Sequence, residues 1–165
     1  MTADSCYPDE LPTMLEVGQT LQNGRYRIQQ QLTQGGMGRV YLAIDHNLSE
    51  QRVAIKENLE TGTGTQEQFR QEALLLARLT HPNLPRVTDH FIEPSGRQYL
   101  VMDYVDGENL REIMQTRNGP FPEAEVIVWI DQVMDALIFM HGWIDPATGK
   151  ASPIIHRDIK PGNIK

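Results

Sequence analysis

At 165 residues with a formal net charge of −7, the chain is long enough for one compact domain, or for a small lobe with part of a second. A pI near 5.2 excludes nucleic-acid backbone binding as the main task, since that needs a basic surface. The lone cysteine, Cys6, has no disulfide partner, no apolar run approaches the roughly 20 residues that span a bilayer, and the first residues lack a signal-peptide pattern, so a soluble, cytoplasmic product is expected.

Residues 1–24 mix Pro8, Pro12, Gly18 and Gly24 with polar residues and show no periodicity; they read as an extended lead-in. From Arg25 the pattern becomes strand-like, through Tyr26, Ile28 and Leu32, then Val40 to Ile44, then Val53 to Lys56. These three segments predict an antiparallel meander. Thr65 with Gln68 fits a capping box, and Phe69, Ala73, Leu76 and Leu79 follow at helical spacing before His81-Pro82. Residues 85–92 and 97–102 flank the Pro94-Ser95-Gly96 turn as two more strands, giving five strands and one helix.

After Asp106-Gly107 the pattern turns helical. Asn109 suits the N-cap of a short helix to about Arg117, which Asn118-Gly119-Pro120 breaks. A longer helix is expected over 122–141. Val126, Trp129 or Ile130, Val133, Leu137 and Met140 share one side, and Ile127, Met134, Ile138 and Phe139 make a second side apolar. Such a helix expects cover on both sides, because each large apolar side chain left in water forgoes about 1.5–3 kcal/mol. Without that cover, residues from about 106 onward are expected to fold poorly in isolation. A polar, turn-rich stretch over 145–153 follows, with no function legible in it.

Three motifs carry chemistry. Leu32-Thr33-Gln34-Gly35-Gly36-Met37-Gly38-Arg39-Val40 lies between two strands. A dinucleotide fingerprint must open a helix, and a Walker A loop needs Gly-Lys-Ser/Thr; neither condition is met. What remains is a hairpin whose glycines let backbone amides approach phosphate oxygens, or a plain flexible turn. In Val53-Ala54-Ile55-Lys56, strand alternation sends Ala54 and Lys56 to one face, a small residue beside a cation; the alternative for Lys56 is a solvated strand residue. Glu72, on the helical turn of Phe69 and Ala73, is its candidate carboxylate partner. The third motif is His156-Arg157-Asp158-Ile159-Lys160-Pro161-Gly162-Asn163. Its spacing offers a base (Asp158), a phosphate contact (Lys160) and a metal ligand (Asn163) in one loop, where Pro161 fixes its own backbone and Gly162 permits a conformation barred to other residues, so that neither helix nor strand runs through.

This last motif resembles the H-R-D-x-K-P-x-N signature of eukaryotic-type serine/threonine protein kinases, and the resemblance runs from about Arg25 to the end of the sequence. The wording of 34–38 and 81–85 looks like the bacterial members. The resemblance implies an α+β, protein-kinase-like fold: a five-stranded antiparallel N-lobe sheet with one helix and the hinge over 25–105, and part of a helical C-lobe over 106–165. It implies that Lys56 contacts the α- and β-phosphates of ATP and pairs with Glu72, that Asp158 and Lys160 are catalytic, and that Asn163 holds Mg2+. Arg157 would meet a phosphorylated activation loop. Leu32, Thr33, Gln34, Gly35, Gly36, Met37, Gly38, Val40 and Ala54 would line the nucleotide, with Leu100 as a further wall candidate. Met102 would be the gatekeeper, backbone groups of Asp103 and Val105 would meet the adenine edge, and Asn109 would lie near the ribose. Thr33 stands where the family pattern has its first glycine.

The sequence contains no Asp-Phe-Gly, the second metal-holding motif of kinases. The expectation is therefore a truncated kinase domain, inactive alone, that transfers the ATP γ-phosphate to protein Ser/Thr hydroxyls only when completed, for instance by a partner chain supplying the rest of the C-lobe. The protein substrate is not legible. The alternative is a non-catalytic nucleotide-binding or interaction fragment, or a split-gene or frameshift product.

Overall fold

A computed structural model describes residues 14–35, 38–59 and 63–165. The chain divides into two compact units, one of Met1–Ala73 with Asp89–Met102 and one of Leu74–Thr88 with Asp103–Lys165. Its elements are β1 (Thr20–Leu21), β2 (Tyr26–Gly35), β3 (Gly38–Asp45), β4 (Gln51–Asn58), α1 (Thr63–Leu76), β5 (Val87–Ile92), β6 (Gln98–Asp103), α2 (Leu110–Thr116) and α3 (Glu123–His141), with a 3-10 turn over Pro161–Asn163.

The strands make one sheet in the order β1-β2-β3-β4-β6-β5. It has six strands rather than the expected five. The extra one, β1, comes from the presumed lead-in: Thr20 and Leu21 pair with Arg27 and Tyr26, and Gly18 N–H and Gln19 C=O bond Ile28 at 2.8 and 2.9 Å. Two residues are too few to show a period, so tertiary contact decides this strand. Leu15 and Leu21 from the same segment are buried in the core with Tyr26, Ile28, Tyr41, Ala43, Val53, Ile55, Phe91, Tyr99 and Val101. Tyr26, Phe91 and Tyr99 stack in series, with centroids 5.5 and 5.2 Å apart, a spacing that favours offset aromatic packing.

The meander of β2, β3 and β4 forms as expected and fixes two faces. Along β3, Arg39, Tyr41, Ala43 and Asp45 are buried while Gly38, Val40, Leu42 and Ile44 are half-buried. Register carries this onto β4: Tyr41 opposes Ile55 and Ala43 opposes Val53, whereas Val40 opposes Lys56 and Leu42 opposes Ala54. The core face is thereby closed, and the face holding Val40, Ala54 and Lys56 stays partly open. A carboxylate nonetheless sits on the closed face. Glu57 is fully buried, accepts hydrogen bonds from the Tyr41 and Tyr99 hydroxyls at 3.1 and 3.4 Å, and pairs with Arg39 and Arg97 at 3.5 and 3.4 Å. Burial, then the Glu57 charge, push the Tyr99 hydroxyl up to about 12.

Helix α1 starts at Thr63, two residues before the expected cap at Thr65. In the second unit, Asn109 caps α2 as expected, and Glu112 closes a capping box by accepting the Asn109 N–H at 2.8 Å. Helix α3 has Ala136 and Met140 buried. Phe139 packs between His81 and Trp143, at 5.0 and 5.6 Å. Of the expected second apolar side, Ile127, Met134 and Ile138 are exposed, together with Ile130 of the first side, all 48% to 66% accessible, whereas Phe139 is packed. The 145–153 stretch is a self-closed turn. Asp145 accepts from Ala147 N–H and Thr148 Oγ1, pairs with Arg78 at 3.3 Å, and Ile144 bridges Ala151.

Gly38 has a steric reason of its own. A Cβ built there would lie 2.6 Å from the Glu57 carbonyl oxygen, while one at Gly162 would meet nothing closer than Arg111 at 3.8 Å. Gly38→Ala is therefore expected to destabilise the chain by about 1–3 kcal/mol, and Gly162→Ala to change it by no more than about 0.5 kcal/mol, as read by denaturant unfolding.

Candidate active site

The first unit supplies a basic, partly open sheet face. Pairing of β2 with β3 runs to Gly35↔Gly38 and is interrupted twice, so that Leu32 is the extra residue between Gln31↔Tyr41 and Thr33↔Val40. A bulge re-aims the side chain at the extra position. Leu32 is half-buried and Thr33 is exposed. The backbones of Gln34 and Gly35 continue the strand; Gly36 and Met37 lie outside the described residues. Alternation places Leu100, which is buried, on a different face of β6 from the core residues Tyr99 and Val101.

Lys56 is one-third exposed and reaches Glu72, with Nζ to Oε1 at 4.0 Å. Both residues lie in the first unit, so β4 and α1 bring the two expected partners together. The expected reason needs correction: Glu72 is 54% exposed, so water, rather than a dry helix face, meets most of its charge. At this length and exposure the pair is a weak restraint, and the Lys56 ammonium keeps the capacity to turn toward a phosphate.

The hinge candidates fall where the chain passes from one unit to the other, between Met102 and Asp103. Asp103 N–H donates to the Arg86 carbonyl at 2.9 Å, its carboxylate accepts from Arg86 Nε at 3.0 Å, and the Val105 carbonyl accepts from Lys165 Nζ at 3.0 Å. Lys165 also lies 5.3 Å from the Tyr104 ring centroid. Asn109 commits its carboxamide oxygen to the α2 cap, 3.0 Å from Glu112 N, so a ribose contact would fall to its amide nitrogen.

The three polar groups of the third motif converge. Asp158 Oδ2 receives Lys160 Nζ at 2.8 Å and Asn163 Nδ2 at 2.9 Å, and the same amide group donates to the Asp158 carbonyl at 2.8 Å. Two backbone features allow this. Arg157 has φ +65°, a left-handed conformation that costs a non-glycine residue roughly 1–2 kcal/mol, and Asp158 N–H donates to His156 Nδ1 at 3.3 Å. Pro161 occupies the first turn of the 3-10 segment, where its missing N–H is not needed. Gly162, by contrast, does not use the freedom expected of it: it has no positive φ. The segment is tied to α2 through Leu110 N–H and the Ile164 carbonyl at 2.8 Å.

The Lys160 and Asn163 hydrogen bonds hold the Asp158 carboxyl below its ordinary range, so at neutral pH it is a carboxylate able to accept a proton. Because Asn163 donates through Nδ2, its Oδ1 is the atom suited to a hard cation such as Mg2+, which takes oxygen ligands and fills its remaining positions with water and phosphate. Among the described residues no cluster of three His, Cys, Asp or Glu could hold a metal unaided. The cluster of buried Arg39 and Glu57 with the half-buried Arg97 was not anticipated. The alternation of Val53, Ile55 and Glu57 would have put a carboxylate on the core side, but its partner Arg97 is 40 residues away.

A protein kinase domain profile matches residues 26–164. The serine/threonine-protein kinase PknA of Mycobacterium tuberculosis is 37% identical over 155 residues, covering 90% of this chain and 33% of the relative. The probable serine/threonine-protein kinase PknB of Lactococcus lactis is 34% identical over 154 residues, covering 92% of this chain and 23% of that protein. Among solved structures, the PknI kinase domain of M. tuberculosis superposes with a TM-score of 0.69 at 27% identity, over 91% of this chain and 56% of that one. The chain thus spans a third or less of these curated relatives and somewhat over half of the solved domain.

With its pKa depressed, the Asp158 cluster is favoured above the usual carboxylate range and is lost as pH falls through the lowered value. NMR titration of the Asp158 carboxyl is expected to give a midpoint below the ordinary value of about 3.9, and Lys160→Met is expected to move it upward.

Proposed function

The chain belongs to the protein kinase domain family and is similar to its bacterial serine/threonine members, and from that premise we propose that it binds ATP with Mg2+ and carries the proton-accepting loop of phosphoryl transfer to a protein Ser or Thr hydroxyl. The observation that carries the reading is the convergence of Lys160 and Asn163 on Asp158, within 2.8 and 2.9 Å, in a chain whose β4 lysine also meets a helix carboxylate.

Each group has a task in this reading. Lys56, released from its loose contact with Glu72, binds the α- and β-phosphates. Leu32, Val40, Ala54 and Leu100 flank the adenine, with backbone amides of the β2–β3 hairpin, including Gly35, Gly36 and Gly38, beside the phosphates. Since the Asp103 N–H and the Val105 C=O are already engaged, the adenine edge is met by the Asp103 C=O and the Val105 N–H. In the transfer, the substrate hydroxyl oxygen bonds to the γ-phosphorus, the bond from that phosphorus to the ADP oxygen breaks, and Asp158 takes the hydroxyl proton. Lys160, already on Asp158, shifts toward the charge on the moving phosphoryl group. Asn163 Oδ1 would hold Mg2+, which would supply neutralisation of phosphate charge.

The 165 residues carry one of the two metal-holding groups the reaction uses, and no Asp-Phe-Gly. We therefore propose nucleotide binding without sustained turnover for these 165 residues by themselves. A cytoplasmic setting, where ATP is available, suits this reading; among the described residues no helix is long and apolar enough to cross a membrane.

Calorimetric titration is expected to show Mg2+-dependent ATP binding that Lys56→Ala weakens about 10- to 100-fold, the worth of a charged hydrogen bond or two. Labelled γ-phosphate is expected not to pass to a generic basic protein. ATP affinity indifferent to Lys56→Ala would overturn the nucleotide site, and turnover abolished by Asp158→Ala would overturn the inactivity of the chain alone.

A further inference from the structure

Arg39 and Glu57 face each other across β3 and β4, directly beside the Val40↔Lys56 pair and on the opposite face of the sheet. Both are buried, with side chains 7% and 0% accessible. Arg39 follows Gly38, where β3 leaves the glycine-rich hairpin, and Glu57 follows Lys56. Arg97, at the entry to β6, joins them at 3.4 Å, and the hydroxyls of Tyr41 and Tyr99 complete the shell of the carboxylate. One carboxylate therefore ties together the root of the hairpin, the lysine strand and the strand that leads toward Met102.

Stability alone is a poor explanation for this cluster. Desolvating a carboxylate and two guanidinium groups offsets much of their attraction, and well-packed apolar residues of similar volume often do as well or better. What a buried ion pair adds is register. Sliding β3 by two residues on β4 would keep every side chain on its own face, yet it would carry Val40 and Gly38 away from Lys56 and Glu57 and strand the charges without partners. Apolar side chains opposed across the same strands would resist that slip far less.

We propose that Arg39 and Glu57, with Arg97, are positioning residues for phosphate binding: they lock the β3–β4 register so that the hairpin amides and Lys56 present to the same triphosphate. The proposal rests on the nucleotide-binding reading and assigns the cluster no contact with ATP. Its signature is selective. Misplaced phosphate contacts weaken ATP, whereas adenosine, which lacks phosphates, is bound by other residues.

The decisive variant is the apolar double substitution Arg39→Met with Glu57→Leu, with Glu57→Gln and the conservative Arg39→Lys alongside. Affinities for ATP and adenosine are measured on the full chain by calorimetry, and thermal unfolding reports folding. The double variant is expected to unfold no earlier than wild type, yet to lose about tenfold or more in ATP affinity with adenosine affinity unchanged within about twofold, the scale on which small misplacements act. Glu57→Gln should shift the same ratio, and Arg39→Lys should keep most of the wild-type ratio. A double variant that folds and keeps the wild-type ratio of ATP to adenosine affinity overturns the proposal, as does an equal loss for both ligands. If the wild-type chain binds adenosine and ATP equally or not at all, the nucleotide reading itself fails and takes this proposal with it.

Discussion

Everything in the first unit depends on how closely β3 can run against β4. Gly38 is the point of closest approach, where a Cβ would stand 2.6 Å from the Glu57 carbonyl. Only glycine admits that contact, and it is what allows Val40 to oppose Lys56 two residues from the hairpin root. Glycine in this hairpin thus serves the sheet before it serves any phosphate. The closed face then fills with aromatic and aliphatic side chains around Glu57, and on the other face Lys56 stays partly open beside a buried Ala54.

The second unit solves a different problem, which is to hold three polar groups together on an exposed loop. Burial cannot do it, because Asp158, Lys160 and Asn163 are all exposed. Local bonding does it instead. A left-handed Arg157, a 3-10 turn begun by Pro161 and a doubly donating Asn163 amide bend the chain back upon Asp158. The α2 helix steadies the turn through Leu110 and Ile164, and α2 is itself closed by the Asn109–Glu112 box. The resulting loop is ordered by hydrogen bonds rather than by packing, so its electrostatics remain responsive to solvent and ligand.

Much of this was legible in the sequence wherever short-range periodicity governs. The β3 and β4 alternation put Ala54 and Lys56 on one face, the spacing of Phe69 and Ala73 set α1, and Asn109 announced α2. Features set by distant residues were not legible. β1 exists because Tyr26 and Ile28 offer a strand edge to Thr20 and Gln19, and no pattern within two residues could reveal it. Alternation puts Glu57 on the core side, but its partner Arg97, 40 residues away, is invisible to any local pattern. Glu72 was expected to be dry because its helical neighbours are buried, but its carboxylate points far enough around the helix to keep half its surface in water. Gly162 was read for a freedom its backbone does not use. In the candidate site, residue identities were therefore legible ahead of their environments.

The central claim is that two sets of groups, Lys56 with the hairpin arms and Asp158 with Lys160 and Asn163, respond to bound nucleotide. Amide hydrogen exchange of the whole chain with and without Mg2+ and ATP tests it most directly, since both sets of groups report in one experiment. The account predicts that nucleotide slows exchange at once in the hairpin arms around Gly35 and Gly38, in β4 near Lys56 and in the loop from Asp158 to Asn163, with the exposed apolar residues of α3 unaffected. Exchange that is unchanged at Lys56 and at Asp158, under conditions where ATP is bound, would contradict it.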